Sequence, residues 1–255
     1  MNKILKYVIL DIVRNKIVLS YIAFLFIITF GVFNLEDNQS KGLLSTLNLV
    51  LFIVPLVSII FSTVYIYNSS EFIELLLSQP LKRKTIWLSL FYGLSISLII
   101  AFVIGTGIPI LIFFPDFTGI MMIIVGVFLS LIFVSISLLA AVYTRDKAKG
   151  IGIAILLWLY FALVFDGIIL FLTFQLADYP IEKLIMAISS LNPIDLSRIA
   201  VLLRLDDSAL MGYTGAVFKE FLGSVTGIVI SATILILWFL VPLYFSLRKF
   251  KNKDL

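Results

Sequence analysis

LKRKTIWLSLFYGLSISLIIAFVIGTGIPILIFFPDF, residues 81–117, contains 29 consecutive residues (86–114) without a charged side chain, entered through Lys82, Arg83 and Lys84. About 20 apolar residues suffice for a helix to cross the hydrocarbon core of a bilayer. The run therefore reads as a membrane span with three cations fixed at one end. Five more runs carry the same signature, giving candidate spans at 17–33, 43–67, 86–114, 120–144, 150–176 and 223–247. Where a run is longer than the core is thick, the surplus predicts tilt or an interfacial turn. The expected fold class is all-α: a polytopic membrane protein of six transmembrane helices.

The charges order these spans. Fourteen of the 19 bases fall before the first span (Lys3, Lys6, Arg14, Lys16), between the second and third (Lys82, Arg83, Lys84), between the fourth and fifth (Arg145, Lys147, Lys149), and after the sixth (Arg248, Lys249, Lys251, Lys253). These segments hold five acids, whereas the other loops hold five bases and nine acids. The positive-inside bias places the four basic segments, and with them both termini, in the cytoplasm. Residues 17–33 are not followed by an Ala-x-Ala-like site, so the first span is expected to stay in the protein rather than be cleaved as a signal.

Composition narrows the chemistry. An apolar fraction of 62% leaves a soluble globule of this size short of polar surface, while a bilayer solvates apolar side chains directly. The net charge of +4 is split among short segments, which is a topology signal and no nucleic-acid footprint. With no Cys and no His, disulfides, Cys nucleophiles, His general bases, zinc sites and haem ligation by those residues are excluded. The sequence has no Gly-x-x-x-x-Gly-Lys-Ser/Thr loop and no Gly-x-Ser-x-Gly elbow. A non-catalytic chain is expected, and any ATP must be bound by another polypeptide.

Two segments on the basic side are amphipathic. In residues 2–16, NKILKYVILDIVRNK, helical spacing gathers Ile4, Leu5, Val8, Ile9, Ile12 and Val13 on one face and Lys3, Lys6, Arg14 and Lys16 around the other. That is the pattern of an interfacial helix, serving as a topology anchor or as a docking element. In residues 69–87, SSEFIELLLSQPLKRKTIW, Glu71 and Glu74 share one side of a short helix, with Phe72, Leu75 and Leu76 expected on the other. Ser69 or Ser70 is a fitting cap, the early acids suit the helix dipole, and Pro80 stops the helix ahead of the cations.

The stretch between spans 5 and 6 is much longer than the other loops, and its apolar residues recur at helical spacing, predicting two or more short helices. Asn192-Pro193 marks a turn, after which Asp195 or Ser197 is placed to start a helix running through Leu205. Asp206 and Asp207 follow, leading to a break at 212–215. Asp166 lies about ten residues inside span 5, roughly 15 Å deep at helical rise. An acid there must face the bundle interior, be protonated, or have a polar partner. Met121, Met122, Met186 and Met211 fall near the outer side, but Met in apolar surroundings is a packing residue first, and no metal site is expected on this chain. Gly223, Gly227 and Ser231 form a small-residue stripe in span 6, and Pro55, Pro109 and Pro242 are candidate kinks. No repeat or linker divides the sequence, so residues 1–255 are expected to form one transmembrane domain.

A Glu- and Leu-rich helix ending in Pro, followed by cations and a new span, resembles the coupling helix of six-span permeases of ABC-type exporters. The resemblance covers the whole chain in topology. It implies an elbow helix at 2–16, two copies of the chain in the complex, and a separate ATPase contacted by Glu71, Phe72, Glu74, Leu75, Gln79 and Pro80, with Arg145 to Lys149 as a second contact. The strings EFIELLLSQP, NPIDLSRI and LDDSALMGYTGAVF are similar to those of the NosY-like permeases that serve nitrous oxide reductase maturation. That likeness implies a NosF-like ATPase carrying ATP and Mg, a periplasmic β-helical NosD-like protein, and indirectly a copper chaperone of the NosL type. Copper would be handled by those partners. It also implies that Asn192, Pro193, Asp195, Arg198, Asp206 and Asp207 lie in the surface toward the periplasmic partner. Two alternatives stand beside it: an exporter of a lipid, peptide or small molecule, with Asp166 and Ser130, Ser135 and Ser137 lining a path, and a membrane scaffold without an ATPase.

Overall fold

The computed structural model describes residues 2–176, 182–202 and 225–252. Ten helices follow one another among them: α1 (Asn2–Val13), α2 (Lys16–Leu35), α3 (Gln39–Asn68), α4 (Ser70–Leu77), α5 (Arg83–Phe113), α6 (Phe117–Tyr143), α7 (Lys147–Gln175), α8 (Glu182–Ser189), α9 (Pro193–Leu202) and α10 (Val225–Lys251). No strand occurs among the described residues. Helices α2, α3, α5, α6, α7 and α10 are long and apolar enough to cross a membrane, with mean hydropathies from 2.2 to 2.8. The chain is an all-α, multi-pass membrane protein.

The span ends lie within a few residues of their expected places, and polar caps define three of the starts. Asn15 Oδ1 accepts from the Ile17 amide at 2.9 Å, Asn38 Oδ1 from Ser40 at 2.8 Å, and Asp146 Oδ1 from Lys149 at 2.7 Å. Each occupies one donor of a first turn that has no intrahelical acceptor. At the end of α10, Arg248, Lys249 and Lys251 face the negative pole of the helix dipole.

Helices α3 and α6 make the centre of the bundle, and they pack along much of their length. Burial separates them from the outer helices: 61% and 67% of their apolar windows are covered, against 22 to 28% for α2, α7 and α10, with α5 intermediate at 50%. The three outer helices show their Leu, Ile and Phe side chains to the space a bilayer fills. Small residues let the inner helices close up. A Cβ on Gly126 of α6 would run into the Phe102 ring of α5, and one on Gly105 would lie 2.7 Å from Leu25 Cβ. Polar side chains tie helix to helix: Ser135 Oγ donates to the Phe239 carbonyl at 2.7 Å, and Trp158 Nε1 to the Phe52 carbonyl at 3.2 Å.

Two π turns interrupt long helices, Val103–Gly107 in α5 and Tyr160–Val164 in α7. The first precedes Pro109, whose missing N–H leaves the carbonyl four residues back without its usual donor, and a widened turn accommodates the change. Pro55 and Pro242 lie inside helices that run on through them.

Helix α1 lies on protein along part of its apolar face. Val8 and Ile12 are fully buried, and Val8 occupies the space a side chain would need at Gly93 of α5. Ile4, Leu5, Ile9 and Val13 are partly covered, while Lys3, Lys6 and Arg14 remain exposed. Between α7 and α10, short helices form as expected, but α9 starts at Pro193, ahead of Asp195 and Ser197. Asn192 Oδ1 accepts from the Ile194 amide at 3.0 Å, and Pro at the first helical position needs no acceptor for an N–H it lacks. The expected continuation to Leu205, the 212–215 break, Asp206, Asp207, Met211 and Gly223 lie outside the described residues.

Candidate functional site

Polar and charged groups collect at the two ends of the bundle. At the end carrying most of the cations, α4 follows α3 after a single residue, Ser69. Its buried residues are Ile73 and Leu76. Glu71, Glu74 and Leu75 are exposed, Leu75 to 65%, and so are Gln79 and Pro80 just beyond. Leu75 thus stands with the acids and not opposite them. Four residues at about 100° each bring it back beside Glu71, while Ile73 and Leu76 turn to the bundle. Phe72 is half-buried against α1, its ring 5.2 Å from that of Tyr7. A second tie joins α3 to α1: the Tyr65 hydroxyl, at the end of α3, donates to Asp11 Oδ2 at 3.0 Å.

Behind α4 is a cavity of about 310 Å³ lined by Tyr67, Ile73, Glu74, Trp87, Arg145 and Phe250, among others. Its walls are the ends of four spans held in register by side chains. Trp87 stacks on Phe250 at 4.2 Å and donates to Ser246 Oγ, and the Tyr67 hydroxyl bonds the Thr144 hydroxyl. Lys147 Nζ donates to Asn68 Oδ1 at 2.7 Å, so the start of α7, just after Arg145, is tied to the α3–α4 corner.

Toward the opposite end, but well inside the bundle, the polar residues turn inward, and the Phe161 carbonyl that they reach lies midway along α7. Asn192 is fully buried and Asp195 is 4% exposed. Asn192 Nδ2 donates to the Phe161 carbonyl at 2.8 Å and to Asp195 Oδ2 at 2.9 Å. Phe161 lies in the π turn of α7, so the side chain that caps α9 also bonds the irregular backbone of α7. Arg198 Nη1 reaches Asp166 Oδ2 at 3.1 Å and Asp195 Oδ1 at 3.4 Å, while its buried Nε has no hydrogen-bond partner among the described residues. Burial raises the Asp195 carboxyl to about 7, the neighbouring Asp166 adds to the rise, and Arg198 and Asn192 oppose it. Asp166 therefore has a polar partner, the one of its three options that involves a residue far along the chain.

This geometry reassigns several expectations. Asn192, Pro193 and Asp195 are buried in this chain rather than forming an outward surface, and the side chains of Asn192 and Asp195 bond within the α7–α9 junction. Ser130, Ser135 and Ser137 do not form a path with Asp166; each is buried and donates to a backbone carbonyl. Instead Ser45 and Asn48 of α3 share a cavity of about 580 Å³ with Asp166 and Arg198. Met122 is fully buried in the core. Among the described residues, no group of three or more acids is placed to hold a metal ion.

None of the curated proteins matches this sequence. The family model described as ABC-2 family transporter protein matches residues 4–255, nearly the whole length, and it is a family of transmembrane permeases whose work implies an ABC ATPase as partner. The chain belongs to the ABC-2 family of transporter proteins and is a membrane permease subunit of an ABC transporter.

Proposed function

We propose that this permease is a non-catalytic coupler that converts nucleotide-driven movement of a separate ATPase into displacement of the α8–α9 segment. The basic end faces the cytoplasm in this reading, two copies of the chain act together, and ATP with Mg is held by the ATPase. The observation that carries it is the exposed set Glu71, Glu74 and Leu75 on α4, with Gln79 and Pro80 beside it. An apolar residue beside two acids, raised on a helix whose other face is anchored by Ile73 and Leu76, offers a partner both charge and a hydrophobic contact. Coupling needs two bundle arrangements that the ATPase states favour differently. The test is recovery of the ATPase with a tagged permease: Glu74→Lys with Leu75→Trp should lose it while membrane insertion stays normal. Full recovery with the double variant would refute the α4 contact.

The narrower reading, service to nitrous oxide reductase maturation with a periplasmic β-helical partner and copper held elsewhere, is supported by the strings EFIELLLSQP, NPIDLSRI and LDDSALMGYTGAVF alone. Co-purification of both an ATPase and such a partner would establish it. A second reading, export of a small amphipathic molecule, is favoured by the cavity that brings Ser45, Asn48, Asp166 and Arg198 together beside apolar walls. Copy-dependent transport of a labelled cargo without any periplasmic partner would favour export.

A further inference from the structure

At the α7–α9 junction one guanidinium serves two carboxylates. Arg198 Nη1 lies 3.1 Å from Asp166 Oδ2 and 3.4 Å from Asp195 Oδ1. Asp166 is the closer and the more exposed of the two, with 34% of its side chain accessible against 6% for Asp195. When both acids are ionised, the junction carries one negative charge in excess, located on the acid least able to reach water. Burying an uncompensated charge is far more costly than burying a neutral acid that can donate a hydrogen bond.

Among the described residues, no other charge is placed to balance it. Helix α6 contains no Lys, Arg, Asp or Glu, and the cations of α10 are confined to Arg248 and beyond. Helix α3 has Lys41 exposed near its start, and Glu36 just before it accepts from Ser45 Oγ at 3.2 Å on the rim of the shared cavity. The remaining charges of α7 are Lys147 and Lys149 at the basic end. Among the described residues, Asp166 and Arg198 are the charged groups facing Asp195.

We propose that Asp195 is a proton-binding site whose occupancy sets how firmly α9 is seated on the π turn of α7. With the proton present, Asp166 and Arg198 form a balanced pair, Asp195 donates to Asp166, and Asn192 holds the Phe161 carbonyl. With the proton lost, the excess charge works against seating, and α9 opens more often. Linkage fixes the sign. The buried carboxyl is raised to about 7, so seating is firmest below the ordinary carboxylate range, weakens as pH rises, and levels off once pH passes about 7.

The chain has no cysteine, so a single thiol can report on α9. Ala200→Cys would place it at a position only 8% exposed, and Leu191→Cys, at a site 63% exposed, gives the reference for thiol ionisation. The full chain in liposomes, without nucleotide, is labelled with a maleimide across the pH range. Labelling at 200, divided by that at 191, should rise on the order of tenfold from about pH 5 to about pH 8. Asp195→Asn should flatten the profile at its low value, and Asp166→Asn should flatten it too by leaving Arg198 to Asp195. If the thiol at 200 disturbs folding, hydrogen exchange of the α9 amides, corrected for intrinsic rates, replaces it with the same expectation. A flat profile in the parent, or a rise that survives in both Asn variants, overturns the proposal. Because no ATPase is present, neither result depends on the coupling reading.

Discussion

The two ends of the bundle solve the problem of polar side chains in opposite ways. At the basic end, α4 keeps Glu71 and Glu74 in solvent, and its neighbours are joined by separate contacts such as Tyr7 with Phe72 and Tyr65 with Asp11. At the other end, Asn192, Asp195, Arg198 and Asp166 form one connected network, most of it buried. Exposed groups can be exchanged for others with little effect on folding, whereas members of a buried network depend on each other. The first end is thus free to vary in sequence, and the second is bound to the fold.

Substitutions should separate the ends in a graded way. The largest effect is expected from Arg198→Ala, which leaves two acids without a counter-charge. A loss of about 2 to 4 kcal/mol in thermal unfolding is expected, less than for a wholly buried pair because part of Arg198 is accessible. Adding Asp166→Asn should restore part of that loss, and strict additivity would show that the groups do not act as a network. Asn192→Ala removes the tie to the Phe161 carbonyl and the cap of α9 together, for about 1 to 3 kcal/mol, with faster hydrogen exchange confined to α9. Tyr65→Phe, which removes one half-buried bond to Asp11, should cost about 1 kcal/mol. Glu74→Lys should stay within about 0.5 kcal/mol of the parent while reducing ATPase recovery. Equal destabilisation by Glu74→Lys and Asn192→Ala would erase the contrast.

How far each end could be read from sequence follows the same division. The spans, their caps and α4 depend on residues a few positions apart, and local periodicity carries that information. Even the exposure of Leu75 is local: its 40° offset from Glu71 follows from helical geometry, and placing it opposite the acids neglected that arithmetic. The junction is different. Asp166 and Arg198 are separated by 32 residues, and no periodicity links them. Asn192 read as a turn marker from the Pro that follows it, yet its amide also reaches a carbonyl 31 residues back. One π turn has a cue in Pro109, whereas Tyr160–Val164 contains neither Gly nor Pro and gives no sign in sequence.

That unannounced turn in α7 also sets a phase. A π turn takes up an extra residue, so side chains after Val164 stand about 100° around the axis from where an unbroken α-helix would put them. Asp166 is two residues past it. Removing a single residue between 160 and 164 would permit an ordinary helix with fuller backbone bonding, but would swing Asp166 away from Arg198 and close the carbonyl that Asn192 uses. The meeting of α7 and α9 is thus specified by how many residues precede Asp166 as well as by which residues they are.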